Sequence, residues 1–468
     1  MNSIFRTFIT VFVLFLAHST PSDAESEKWR RYEETLIKIS TDPEYTKLWP
    51  EHIKQFKNYE AIAFKKQKRN SFPCSTYSSP EVPSSVHQLQ PGDIKVIGAM
   101  GDSITAGNGI NALTPIGALT EYRGHSWSIG GVNTFEEVLT LPNILKKYNP
   151  DLTGYATGTG KRDSSISKLN VAYPGNTAEN MPLQAAMLVD RIKSMPGVDF
   201  ENDWKMVTLF IGGNDLCDYC YDVDRYTIEK YQNHVKGALD ILHGTLPRTF
   251  VNLVSIFDLT PLAGVADNVI CRAIHWAVCD CPKNAEPGLI KGIAMQYSQA
   301  VSDLIASKRY DTKDDFTVVF QPFMRDNDVP RLENGNPDMS FFCPDCFHFS
   351  GVGHEAVATM LWNAMFEPVG SKKTQSSFKL DLYCPAEGEY FQTAANSKGS
   401  EVEAHHVQNA PAALVAEETP NTSSPHGNLP LILGVTCSVG FLAAVALVGL
   451  IVYRKRRTPM EDLTVLTS

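Results

Sequence analysis

The chain carries 468 residues, 43% of them hydrophobic and 20% charged, with a formal net charge of -10. These are globular values, and the length allows one large or two ordinary domains with a sizeable buried core. The acidic balance excludes a nucleic-acid partner, because phosphate binding requires a basic footprint that the sequence lacks.

Residues 4–17 form a short apolar run behind Arg6, and Ser22-Asp23-Ala24 supplies small residues for cleavage, so residues 1–24 read as a signal peptide. From Glu25 to Lys68 the pattern is helical and strongly charged. Pro43 sits just inside a helix start signalled by Thr41 and Asp42, and Trp49, Ile53 and Phe56 recur at helical spacing. Ser71 to Pro91 collects Pro and Ser and reads as a surface connector. Residues 25–91 are thus expected to form a helical leader and connector that pack on the main domain.

Residues 92–384 carry strand-like runs at 94–100, 169–172, 204–211, 250–256 and 316–320, with amphipathic helix patterns between them, best at 228–242 and 289–305. Ile228, Tyr231, Val235, Leu239 and Leu242 fall on one helical face. This alternation predicts an α/β fold, a parallel sheet with helices on both faces. Ligands on such sheets bind beyond the carboxyl ends of the strands, where Ser103, Gly175 and the stretch Gly212 to Asp215 fall.

Residues 385–428 are rich in Ala, Glu, Pro, Ser and Asn without periodicity and read as a disordered stalk. Asn421, in Asn421-Thr422-Ser423, is a glycosylation sequon there. Residues 429–453 are free of charge, long enough to span a bilayer, and followed at once by Arg454-Lys455-Arg456-Arg457. Basic residues stay cytoplasmic, so the expectation is a single-pass type I membrane protein with its main domain outside and a cytoplasmic tail at 454–468. Nine cysteines precede the span and Cys437 lies within it, allowing four disulfides and one spare thiol. Cys217-x-x-Cys220 with Cys343-x-x-Cys346 also has the spacing of a zinc site, although an oxidising compartment makes disulfides the default.

Ser103 is the nucleophile candidate. Ile94 to Met100 reads as a strand, Gly101 permits a sharp turn, and the Ser/Thr-rich turn that follows opens a helix whose N-H groups favour an oxyanion. A serine needs a base to take its proton and a carboxylate to orient that base. Asp345-Cys346-Phe347-His348 offers both, since residues three apart in a helical turn share one side. His354 competes as base but has no carboxylate three residues before it. Oxyanion donors are offered by the backbone at Ser103 and Gly175 and by the amide of Asn214. The apolar loop 110–119 could face acyl chains or pack on the core. Arg123 or His125 could contact a phosphate, with a structural ion pair as the competing role. Asp218, Asp222 and Asp224 fit no metal loop and read as a solvated helix entry.

Taken together, Ser103 in Gly-Asp-Ser, Gly175, Asn214 in Gly-Gly-Asn-Asp and the Asp345-x-x-His348 pair resemble the four blocks of the SGNH (GDSL-type) hydrolases. The stretches around Ser103, Glu121 to Gly131, Leu209 to Cys217 and Pro344 to Ser350 resemble the membrane-associated phospholipase B branch, with Ile104 in place of the leucine of the family name. The resemblance implies an SGNH-type, flavodoxin-like parallel sheet and a calcium-independent lipase without cofactor. It would remove acyl chains from phospholipids and lysophospholipids through an acyl-enzyme on Ser103. His348 would act as base and acid, Asp345 as its orienter, and Ser103, Gly175 and Asn214 as the oxyanion hole. Two other readings stand beside it: an esterase for retinyl or glycerol esters on the same groups, and a membrane receptor that keeps the fold without the chemistry.

Overall fold

A computed structural model describes residues 27–56, 71–265 and 268–397. The segments read above as signal peptide, membrane span and tail lie outside the described residues, as do Asn421 and Cys437. Among the described residues no helix is long and apolar enough to cross a membrane.

Four strands form one parallel sheet in the order β1 (Ile94–Gly101), β2 (Trp204–Phe210), β3 (Thr249–Val254), β4 (Phe316–Gln321). The strands are almost wholly buried, as both-face coverage requires, and their runs are apolar rather than alternating. Gly98, Val207, Val251 and Val318 lie in one row across the sheet. A Cβ on Gly98 would meet Leu188, so this row faces the helix Met181–Ser194. That helix packs on Ile228–Thr245, which packs in turn on Leu289–Ala306. Phe250 and Asn252, one residue to either side of Val251, point the other way, to Phe391 and Met365 beyond the helix Gly351–Ala364.

The helix expected at 228–242 forms with Tyr231, Val235, Leu239 and Leu242 buried, and Ile228 half-buried at its first turn. The fifth run, 169–172, does not make a strand. It contributes one parallel bridge, Ala99 to Asn170, through Ala99 N-H to Leu169 O and Val171 N-H to Ala99 O. Beyond Val171 the chain turns into the loop carrying Gly175, which ends the ladder before it is established.

The leader is helical, as its periodicity predicts. We name its main helix α1 (Glu27–Thr41); Asp42 then caps the helix Pro43–Thr46, accepting from Glu44 N-H at 2.8 Å. Residues 385–397 depart from the stalk reading. Phe391 is fully buried against Trp362 and Phe366, its N-H bonds to Leu89 O, and Thr393 meets His87. A single buried aromatic, Phe391, gives this stretch an anchor that average composition conceals.

Among the described residues eight cysteines form four disulfides: Cys74–Cys384, Cys217–Cys279, Cys220–Cys281 and Cys271–Cys346. The zinc alternative is therefore overturned, since Cys217, Cys220 and Cys346 are oxidised with partners outside the two C-x-x-C pairs. Cys343 is a buried thiol.

Candidate active site

β1 ends at Gly101 with φ 155°, where a Cβ would fall 2.5 Å from the Phe210 carbonyl, so glycine is required to bring the two strand ends together. Asp102 then caps the short helix Ser103–Ala106, accepting from Ile104 N-H at 2.9 Å. Ser103 is thereby held at the carboxyl edge of the sheet with its hydroxyl directed at His348: Ser103 Oγ lies 2.8 Å from His348 Nε2. On the other side of the ring, His348 Nδ1 lies 2.5 Å from Asp345 Oδ2.

The three-residue spacing of Asp345 and His348 suggests a helical turn, but the turn that carries them is not helical. Cys346 adopts φ 63°, Phe342 and Phe349 form an antiparallel bridge, and Cys343 N-H bonds to His348 O. Asp345 Oδ1 accepts from the N-H groups of Phe347 and His348, both at 3.0 Å, which locks the carboxylate within its own turn. Neighbours brace the turn from outside, through His52 to Pro344 O, His275 to Cys346 O, and the Cys271–Cys346 disulfide. Burial acts to raise the Asp345 pKa, but the His348 ring and hydrogen bonds from His348, Cys343 and Tyr32 outweigh it and hold the carboxyl well below its ordinary value. An ionised Asp345 fixes the tautomer with hydrogen on Nδ1, leaving the Nε2 lone pair for the serine proton.

Gln184 ties the loops around Ser103 together. It accepts from Gly101 N-H at 2.9 Å and donates to Gly101 O and to Asn176 Oδ1, both at 2.8 Å. Asn176 O accepts from Asn214 Nδ2 at 2.8 Å, so the segments bearing Ser103, Gly175 and Asn214 share one buried network. One N-H of the Asn214 amide is used in this bond and the second is left for a ligand. Asn214 lies two residues past Gly212, whose φ of 124° strains any side chain and whose Cβ would sit 3.1 Å from the Tyr231 ring.

Asp215, beside Asn214, directs both carboxylate oxygens at Ala178 N-H, each at 3.1 Å. Burial pushes its pKa up to about 7. The native state therefore holds a proton that the unfolded chain releases near pH 4, so stability falls as pH rises from about 4 to 7. Asp215→Asn is expected to remove this slope, leaving the variant more stable than the parent at pH 8 by an amount on the order of 3 kcal/mol. Thermal melting of both proteins at pH 5 and pH 8 measures the difference; equal slopes would remove Asp215 as the titrating group.

Other candidates fall elsewhere. Arg123 does not face the site, correcting the phosphate-contact reading. Its guanidinium is fully buried, paired with Glu121, and donates to Gly160 O, Asn170 O and Ala172 O. It fastens the Gly175 loop rather than meeting a ligand. His354 is buried and accepts from Trp127 N-H at 3.2 Å, and burial lowers its pKa to about 3, so it remains neutral. Asp218 pairs with Lys28 at 3.2 Å. The loop 110–119 divides its residues: Ile110, Ala112 and Ala118 are buried, whereas Leu113 and Ile116 are exposed.

The leader supplies residues that the sequence reading left out. Tyr32 Oη donates to Asp345 Oδ2 at 2.6 Å, and the Trp29 ring stands edge-on to His348 with centroids 6.2 Å apart. Lys28 Nζ donates to Asn214 O at 3.3 Å. The available signal is the spacing of Trp29, Tyr32, Leu36 and Ile39, a stripe of buried side chains along α1.

A buried serine, histidine and aspartate joined in sequence at the carboxyl end of a parallel α/β sheet define a serine hydrolase. The chain belongs to the GDSL-like Lipase/Acylhydrolase family, whose sequence model matches residues 97–361. It is similar to "Phospholipase B1, membrane-associated" from Homo sapiens, 45% identical over 333 residues, covering 68% of this chain and 23% of that protein. The protein of the same name from Rattus norvegicus is 44% identical over 332 residues, with the same two coverages. That from Mus musculus is 40% identical over 379 residues, covering 77% of this chain and 25% of the relative. The chain thus spans about a quarter of the length of each of these relatives.

Proposed function

We propose that the chain is a phospholipase B and lysophospholipase that releases fatty acids from glycerophospholipids. The observation that carries this is the relay of Ser103, His348 and Asp345 at 2.8 and 2.5 Å, within a chain 40–45% identical to proteins of that name. In the acylation step Ser103 Oγ attacks the ester carbonyl as its proton passes to His348 Nε2, and the oxyanion is held by Ser103 N-H, Gly175 N-H and the free N-H of Asn214. His348 then protonates the departing glycerol oxygen. Water, activated by the same nitrogen, attacks the acyl-enzyme and releases the fatty acid with Ser103 restored. Asp345 remains ionised and stabilises the imidazolium.

Counting the bridged segment at 169–171 as the second strand, the order becomes 2-1-3-4-5, which supports a flavodoxin-like sheet with the site at its switch point. We further propose a catalytic domain reaching from 92 to 397, preceded by a signal peptide at 1–24. A stalk glycosylated at Asn421 follows, then a span at 429–453, with the catalytic domain outside the cell. The four disulfides support that compartment.

The test uses the purified full chain on phosphatidylcholine and lysophosphatidylcholine vesicles with a chelator present, following free fatty acid and glycerophosphocholine together. Both products are expected. A folded protein that hydrolyses a short-chain ester but neither lipid would overturn the lipid assignment.

A further inference from the structure

The groups assigned above to catalysis are sealed. Ser103 is 4% exposed, Asn214 6%, and His348 and Asp345 not at all. An ester joined to long acyl chains cannot reach a hydroxyl in that state. α1 lies against this machinery and touches it at three places within five residues: Lys28 the Asn214 carbonyl, Trp29 the His348 ring, Tyr32 the Asp345 carboxylate. Lys28 also pairs with Asp218, at the end of the short helix that carries Asn214. All three side chains are nine-tenths or more buried.

α1 lies outside the residues matched by the family model and is laid over the site rather than woven into the sheet. Its neighbours are the loop Pro115–Leu119 and the helix Val269–Val278. The helix is two-sided, with Trp29, Tyr32, Leu36 and Ile39 buried and Arg30, Glu34, Ile37 and Lys38 exposed. Of the fifteen large apolar side chains most exposed on the described surface, five surround this point: Ile37, Leu113, Ile116, Val269 and Trp276. The Arg31 guanidinium lies over Trp276, 5.4 Å from its ring centre. An apolar rim with a tryptophan and basic groups beside it is the composition that seats at a lipid surface.

We propose that α1 is an autoinhibitory lid whose opening partner is a lipid surface: the rim docks on lipid, and the buried stripe of α1 leaves the triad to enter the same interface. This rests on the reading of Ser103 as nucleophile and of a lipid as substrate. In water the stripe has no better place than the active site, so the closed state holds. At a bilayer the stripe exchanges one apolar environment for another, and the loss on opening largely disappears. The site is thus withheld from soluble esters and offered at the surface where phospholipid is found.

The test reads the rate at which a water-soluble fluorophosphonate labels Ser103. The purified full chain is held in solution by an amphipathic polymer, with and without vesicles of ether-linked phosphatidylcholine, which offer a surface but no ester. Trp29→Ala and, separately, Lys28→Ala are expected to label about tenfold faster than the parent without vesicles, the factor by which a ten-to-one closed state withholds a site. Vesicles are expected to raise the parent towards that rate and to change Trp29→Ala little. Tyr32→Phe, which frees the same helix from Asp345, should label faster than the parent.

Variants that melt like the parent yet label no faster would overturn the lid, as would a parent indifferent to vesicles. Slower labelling of Tyr32→Phe would make Tyr32 a positioning residue and α1 a fixed part of the site. If no protein is labelled, amide exchange at 343–350 gives the second reading: faster exchange with vesicles supports opening, and unchanged exchange overturns it. Labelling that responds as expected while natural phosphatidylcholine stays intact would instead leave the lid standing and sink the substrate assignment.

Discussion

Replacing Ser103 with alanine is expected to lower kcat/KM for ester hydrolysis by about four orders of magnitude or more, because the proposed acyl-enzyme could no longer form. What survives is the contribution of oxyanion donors and binding to attack by water. The fold should tolerate the change well. Ser103 Oγ bonds to His348 Nε2, a contact whose loss costs on the order of 1 kcal/mol, while Asp102 still caps the following turn. Equal melting temperatures with an activity ratio near 10⁴ would meet this expectation. Activity within tenfold of the parent would remove Ser103 from the reaction.

Asp345→Asn is expected to cost about 10³- to 10⁴-fold in kcat, by a different route. Asp345 Oδ1 accepts from two backbone N-H groups and the Cys343 thiol, so an asparagine turns its carbonyl to that side. Its NH2 then faces His348 Nδ1 and Tyr32 Oη, which lie at 2.5 and 2.6 Å from the other oxygen. The ring adopts the opposite tautomer, with hydrogen on Nε2 pointing at Ser103 and no lone pair to take its proton. Raising the pH cannot restore that lone pair, so the loss should persist across the pH range. Full recovery at alkaline pH would contradict this account.

Much of the site was legible because its signals are local. Gly101 at a strand end and the turn opening at Ser103 are neighbouring signals that agree, and the structure has the strand end and the short helix there. Asp345 and His348 were legible as a pair but not as a turn. The spacing suits a helix, whereas the carboxylate binds two N-H groups of its own turn and Cys346 takes a left-handed conformation. Arg123 left two roles open for a related reason, and the ion pair with Glu121 is the one that forms: a guanidinium looks the same in sequence whether it waits for a phosphate or is spent on a carboxylate and three carbonyls. Nothing local foretold Tyr32 on Asp345, a contact across 313 residues set by how the leader lies on the finished domain. Disulfide partners were illegible likewise, since only the folded chain brings Cys271 to Cys346.

The disulfide between Cys74 and Cys384 closes a loop of 310 residues around the whole sheet and the hydrolytic groups. Topologically, this part of the molecule is a ring rather than a string. A single cut by a protease in an exposed loop such as 331–337 leaves both pieces attached, and they separate on a gel only after reduction. The ring also enters and leaves at one point, with the Cα atoms of Cys74 and Cys384 5.1 Å apart. A pull applied between these two cysteines is therefore borne by the bond itself and not by the strands and catalytic loops that lie between them in the chain.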